Sequence, residues 1–229
     1  MKIILLIIAF AISIPSFSQK DEVLKKLQEY QFSDQFLVAN LKDADADYFF
    51  NLKITTITSD ETVIEQAKFD PTKNIGERWI LLSTDGNTPT NKDYKKFDKA
   101  HNTKQKDING KIDENAWAIE EDSDEYLVIR FKYDKMSLPK KYDFLGDCKG
   151  LAFFNKTTKR LEKAEFVNEL PIKIKIFNVT KLDMIVNYIY NEEYQTYLIS
   201  KESLDMEVKL LGQLVSIQEL NEFSNYKKK

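Results

Sequence analysis

The sequence predicts an α+β fold, mostly antiparallel β, whose sheet is strongly curved or left as an unclosed half-barrel, with short helices packed on or in its concave face. Three observations carry this expectation. Nine or ten segments of strand character follow one another with two helical interruptions, and an antiparallel sheet that wide must curl or close. Most of these segments alternate apolar and polar residues with period two, which gives each strand one apolar and one solvated face. No low-complexity linker or abrupt composition change divides the chain, and 229 residues are within the reach of one β-rich domain.

The first segment is not part of that domain. Lys2 precedes an apolar run from Ile3 to Ile14, too short for an ordinary membrane span but the right length for a signal-peptide core. Ser16 and Ser18 are small residues at the two positions a signal peptidase inspects, so cleavage is expected before Gln19. Residues 1–18 are read as a signal peptide and 19–229 as a single half-barrel domain. Removing Lys2 with a segment that contains no acid lowers the formal net charge of −3 by one. A lipoprotein needs a cysteine at the cut, and the one cysteine is Cys148. The mature chain is therefore expected to be periplasmic or secreted, without a transmembrane segment or an internal disulfide.

The elements follow in order. Val23, Leu24, Leu27 and Tyr30 fall at helical spacing within Glu22 to Phe32, giving a short amphipathic helix that packs one face on the sheet. From Tyr48 to Thr58, Phe50, Leu52, Ile54 and Thr56 alternate with Asn51, Lys53 and Thr55, as a half-buried strand requires. Thr62–Phe69 and Arg78–Ser83 continue the meander. Thr90 and Asp93 then have the form of a helix N-cap, and Tyr94, Phe97 and His101 share a face of the helix before a polar loop from Asn102 to Gly110. Trp117–Glu121 opens a second β block. In the next strand Leu127, Ile129, Phe131 and Tyr133 oppose Val128, Arg130 and Lys132. Leu151–Phe154 and Arg160–Val167 form a hairpin around a polar turn. Ile172 to Phe177 reads as one strand with its three isoleucines on one side. Leu182–Tyr190 and Tyr194–Ser200 follow, then a long strand from Leu204 to Ile217 with Gly212 a bulge or bend. Lys227 to Lys229 reads as a solvated tail.

Composition and motifs exclude more chemistry than they suggest. The 34 basic and 37 acidic residues are mixed along the chain, so no field for gripping nucleic acid is expected. A single histidine, His101, rules out two-histidine metal motifs. Cys148 and His101 are in unlike contexts, one beside Gly146 and Gly150 and the other on a polar helix, which argues against a nucleophilic dyad. The alternate acids Asp43, Asp45 and Asp47 have the opening spacing of a calcium loop, but Tyr48 stands where that loop needs glycine and Ile54 where it needs glutamate. A solvated turn fits better. Glu120 to Glu125 reads as a charged hairpin tip. No phosphate-binding loop, nucleophile elbow or dinucleotide fingerprint is present. No catalytic residue, cofactor or metal is expected.

Local motifs add a resemblance. Phe69-Asp70-Pro71, the run Gly76 to Ser83 containing Trp79-Ile-Leu-Leu82, Asp85-Gly86 and Pro89-Thr90 together resemble a group of uncharacterised exported bacterial proteins. Glu120-Glu-Asp122 before Arg130-Phe131, and Phe223-Ser-Asn-Tyr226, are similar too. The order of signal peptide, helix, meander, helix and second meander resembles the outer-membrane lipoprotein carriers LolA and LolB. That resemblance implies an unclosed barrel whose concave apolar face, lidded by helices, holds acyl chains. The expected function is thus non-enzymatic binding of a lipid, acyl chain or lipoprotein in the concave face. Trp79, Leu81, Phe131, Phe153 and Ile174 are the candidate lining residues, although an alternating apolar residue is core packing by default. The alternative is an envelope protein-interaction or sensor module with a filled core, using rim or edge strands to contact a protein partner.

Overall fold

The computed structural model describes residues 19–33, 47–102, 110–140, 142–174, 177–210 and 212–229. The expected signal peptide, all of the acidic stretch before Asp47, and loop residues 103–109 lie outside the described residues. Among the described residues eleven strands form one sheet: β1 Tyr48–Thr58, β2 Thr62–Phe69, β3 Trp79–Thr84, β4 Ala118–Asp122, β5 Tyr126–Phe131, β6 Cys148–Asn155, β7 Arg160–Asn168, β8 Ile172–Ile174, β9 Phe177–Asn191, β10 Thr196–Leu210 and β11 Gln213–Lys228. Their order is β3-β2-β1-β11-β10-β9-β7-β6-β5-β4, with β8 beside β9. Every neighbouring pair is antiparallel, and β3 and β4 end the sheet without meeting. The fold is therefore the expected unclosed half-barrel, built from two meanders joined where the last strand returns to the first.

Among the described residues two α-helices pack on one face, called here the inner face. Helix α1, Gln19–Glu29, lies nearest β4 and buries Val23 and Leu27. Helix α2, Asn91–His101, lies nearest β3 and buries Phe97. Its start is fixed as the sequence predicts: the Asp93 amide donates to Thr90 Oγ1, while the Thr90 amide donates to the Asp93 carboxylate at 2.8 Å, so two orphan donors are satisfied reciprocally.

The alternation read from β1 is observed: Phe50, Leu52 and Ile54 are buried and Lys53 is exposed. Antiparallel pairing carries that face across the sheet. From Ile54 the ladder runs through Asn221, Glu202, Val186, Ala164 and Ala152. The buried residues separate into two clusters. The first joins Val23, Leu27 and Phe32 to Ile129, Phe131, Phe154 and Phe166 over β5–β9. Gly150 belongs here by necessity, since a Cβ on it would stand 2.7 Å from the Phe131 ring. The second joins Phe50, Leu52, Ile54, Phe69 and Leu81 to Phe97 over β1–β3.

Three expectations are corrected. Ile172 to Phe177 is not one strand: Ile174 pairs antiparallel with Phe177, so β8 and the start of β9 are separate arms. Ile172 is buried and Ile174 half-buried, while Ile176 lies outside the described residues. Leu204 to Ile217 is not one strand either. Leu210 pairs with Gln213 across a turn in which Gly212 takes φ +87°, a left-handed conformation that favours glycine. The C-terminal lysines are not a free tail, because Lys227 and Lys228 pair with Phe49 and Tyr48 and the Lys229 amide donates to the Asp47 carbonyl at 2.9 Å. The aromatic rings of Phe223 and Tyr226, 5.7 and 5.2 Å from Phe50, hold this strand in register.

Candidate ligand-binding strip on the inner face

Between the two clusters the inner face of β9, β10, β11 and β1 forms a strip of a different character. Met184, Leu204, Met206 and Ile217 are half-buried and lean on the first cluster. Trp79, Phe223 and Tyr226 lean on the second. Polar side chains lie between them. Glu65, Asn221 and Glu202 are in the row of Ile54, and Thr56 and Glu219 are in the next row beside Leu204. The Asn221 amide donates to Glu219 Oε1 at 3.0 Å, while Asn221 Oδ1 is buried with no hydrogen-bond partner. Burial pushes the Glu202 carboxyl above its ordinary range, and the like charge of Glu219 adds to this against a hydrogen bond from Asn221. Burial likewise pushes Glu65 up, opposed by Lys96.

Each helix is tied to its own end of the sheet by polar contacts. Asp122, at the end of β4, accepts from Lys156 at 2.6 Å and from Tyr30 at 2.9 Å, and pairs with Lys26 at 3.1 Å. Lys156 also donates to the Ser123 carbonyl. These cations hold the Asp122 carboxyl down at about 2. At the other end the Asn102 side chain accepts from the Trp79 amide and donates to the Trp79 carbonyl, both at 3.0 Å. It occupies the outward edge of β3 as a neighbouring strand would.

The candidate lining residues do not converge on one spot. Trp79 stands edge-on to Phe50 and Phe69 at 5.4 and 5.0 Å and near His101, and Leu81 is buried beside it in the second cluster. Phe131 is fully buried in the first cluster, and Ile174 packs against that cluster from β8. Phe153 lies on the opposite face, against Tyr126 and under the Lys163 ammonium at 4.1 Å. Phe154 is its inward neighbour. Glu202, Leu204, Met206, Glu219 and Asn221 were not singled out from the sequence. The signal that identifies them is parity: in β10, Glu202 occupies the same alternation as Leu204, Met206 and Val208, so a carboxylate stands where an apolar side chain is expected.

The outer face of the same central strands has a groove of about 290 Å³. Ile57, Ile185, Leu220 and Ser203 line it, with Lys201, Asp183 and Asp205 beside them. Cys148 and His101 are not brought together. Cys148 is buried in the first cluster, its thiol 3.4 Å from the Phe144 carbonyl and pushed up to about 11 by burial, whereas His101 stacks on Phe97 at 4.3 Å beside the second. Among the described residues no group of three or more His, Cys, Asp or Glu side chains is placed to hold a metal, and no helix is long and apolar enough to cross a membrane.

No family model and no curated protein matches the chain. Three solved structures are similar to it along most of its length. A LolA superfamily protein from Nitrosomonas europaea is 15% identical, with 90% of this chain and 93% of that one covered and a TM-score of 0.35. A domain from Vibrio parahaemolyticus named for outer membrane lipoprotein sorting is 9% identical, with 91% of each chain covered and a TM-score of 0.36. A DUF1329 family protein from Desulfovibrio piger is 7% identical, with 91% of each covered and a TM-score of 0.38.

Proposed function

We propose that this chain is a non-enzymatic, exported binding protein that holds the apolar part of a lipid or lipoprotein against the central strip of its inner face. One observation carries the reading. The buried apolar residues of one continuous sheet separate into two clusters, each under its own helix, and leave Met184, Leu204, Met206 and Ile217 half-exposed between them. A row of apolar side chains between two packed walls, with a few polar groups beside it, is the usual composition of a small-molecule site. An acyl chain laid there removes apolar surface from water on both partners, at roughly 25 cal/mol per Å² buried. Organic-solvent extraction of protein purified from its exporting host, followed by mass spectrometry, is expected to release a lipid at near-stoichiometric yield. A lipid-free extract from protein that also fails to bind added lipid contradicts the reading.

A second reading, an envelope protein-interaction module, is favoured by the outer groove, where Ile57 is 41% exposed on the sheet face opposite the two described α-helices. A lipid-free extract together with a stoichiometric co-purifying protein supports that reading instead.

A further inference from the structure

One end of the sheet carries exposed apolar side chains on a backbone that is held in place. There β7 ends, β8 and β9 reverse on each other, and β10 turns into β11. Leu170 is 75% exposed, Leu214 61% and Phe177 37%. None of the three is a frayed end. The Asn168 side chain donates to the Leu170 and Thr180 carbonyls at 3.0 and 3.2 Å and accepts from the Leu182 amide at 2.6 Å. Phe177 pairs with Ile174, and Leu214 with Lys209 beside the Gly212 turn. Apolar side chains gathered in water at neighbouring tips of an ordered sheet mark a contact surface.

Charge decides what that surface meets. Lys173, Asn178, Lys209 and Leu214 are paired in one row across β8, β9, β10 and β11, and residues directly opposite one another share a face. All four are exposed. The two lysines stand two strand spacings apart, about 10 Å, and neither forms a salt bridge among the described residues. Two acids near this end are already neutralised, Glu169 by Lys132 at 2.8 Å and Asp205 by Lys181 at 2.5 Å. Glu207, two residues from Lys209 on the same face, leaves two cations against one acid. Apolar tips beside lysines suit the boundary of an anionic bilayer: the apolar groups enter the acyl region, and the lysine stems carry their ammonium groups back to the phosphates. The three apolar side chains stand on separate connections, and fluid lipid fills the space between them as a rigid partner does not.

We propose that this end docks on an anionic lipid surface, with Leu170, Phe177 and Leu214 entering the interface and Lys173 and Lys209 meeting lipid phosphates. Docking goes beyond the function proposed above, because it needs no occupied strip. The two are adjacent: Leu204, Met206 and Val208 share one alternation of β10 and lead from the strip to this end.

The test is flotation of the full mature chain with vesicles of phosphatidylcholine and phosphatidylglycerol in equal parts, and of phosphatidylcholine alone, with melting temperature read beside it. The wild type is expected to float with the mixed vesicles and to bind the neutral ones about thirtyfold more weakly, as two lysines near a charged surface provide. K173Q/K209Q removes that difference. L170S/L214S weakens binding to both at least about tenfold, while I189S, at an exposed position at the opposite end of β9, leaves binding unchanged. Should L170S/L214S melt early, L214S alone is read for the same loss. Absence of flotation, a lysine variant that keeps the preference, or equal losses in I189S and L170S/L214S overturns the docking. So does a wild type that stays off vesicles but retains a protein or a second copy that L170S/L214S releases. Lipid extraction reads the strip by itself, so a chain that carries lipid yet ignores vesicles loses the docking and keeps the proposed function.

Discussion

Phe50 is the residue on which the second cluster turns, and its truncation asks whether the two clusters fold as one unit. The ring is 2% exposed, is stacked on Phe69 at 4.9 Å, and stands 5.4, 5.7 and 5.2 Å from Trp79, Phe223 and Tyr226. Phe50→Ala removes a fully buried ring, a change that costs about 3–5 kcal/mol. Aromatic pairs contribute about 0.5–1.5 kcal/mol beyond area burial. Four ring neighbours therefore put the expected loss near the upper end, about 5 kcal/mol.

The chain supplies its own reporters. Its two tryptophans are Trp79, against the second cluster, and Trp117, 2% exposed in the first. Urea unfolding followed by tryptophan fluorescence in W117F and W79F backgrounds reads each cluster separately. Because β1 is bonded to β11 over ten paired positions, and β11 through β10 to β9, Phe50→Ala is expected to shift both transitions by the same free energy. A shift confined to the Trp79 signal, or a total loss below about 1.5 kcal/mol, refutes the single cooperative sheet.

Other perturbations have equally definite outcomes. Asp122→Asn loosens the clasp on α1; because the folded carboxyl is held at about 2, its contribution is present above the ordinary carboxylate range and lost as pH falls through about 2. At neutral pH the cost is about 1 kcal/mol after solvent screening, and melting curves of the two proteins should converge at the acid end. Glu202 has the opposite sign: its folded pKa is raised, so the charge penalty appears as pH rises above the unfolded value. Glu202→Gln should raise the melting temperature at neutral pH and leave it unchanged at acid pH, where both states hold the proton. Asn102→Ala removes both bonds to the Trp79 backbone, at about 1–3 kcal/mol for a part-buried pair left unsatisfied. It also bares the β3 edge, so light scattering should show concentration-dependent association.

Where the chain alternates cleanly and a turn residue stops it, sequence and structure agree closely. β1 and β2 have the expected bounds, the Thr90 cap forms, and the hairpin of β6 and β7 brackets the expected polar turn. The misread segments share one cause. Around Gly212 and between Ile174 and Phe177 the apolar rhythm continues on both sides of a reversal, so periodicity alone registers one strand where there are two. The terminal lysines look solvated because they are charged, yet Phe223 and Tyr226 upstream bring their backbone to the ladder. Phe153 and Phe154 are adjacent and equally apolar. What turns Phe154 inward is the parity of Gly150 and Ala152, small residues under the Phe131 ring and beside Ala164. The strip was hidden because its defining residues are acids, which in a linear reading belong to the solvent. Parity within β10 places Glu202 on the face of Leu204, but only the pairing of β10 with β11 brings Glu219 to that face.

The account depends on Leu204 belonging to a site rather than to a core. Affinity for the neutral apolar fluorophore N-phenyl-1-naphthylamine, measured beside melting temperature in the wild type and in Leu204→Gln, tests that most directly. The half-buried position predicts about a tenfold loss of affinity with little change in melting. Unchanged affinity, or a collapse in melting with affinity per folded molecule intact, would show that the strip is packing and not a place for a ligand.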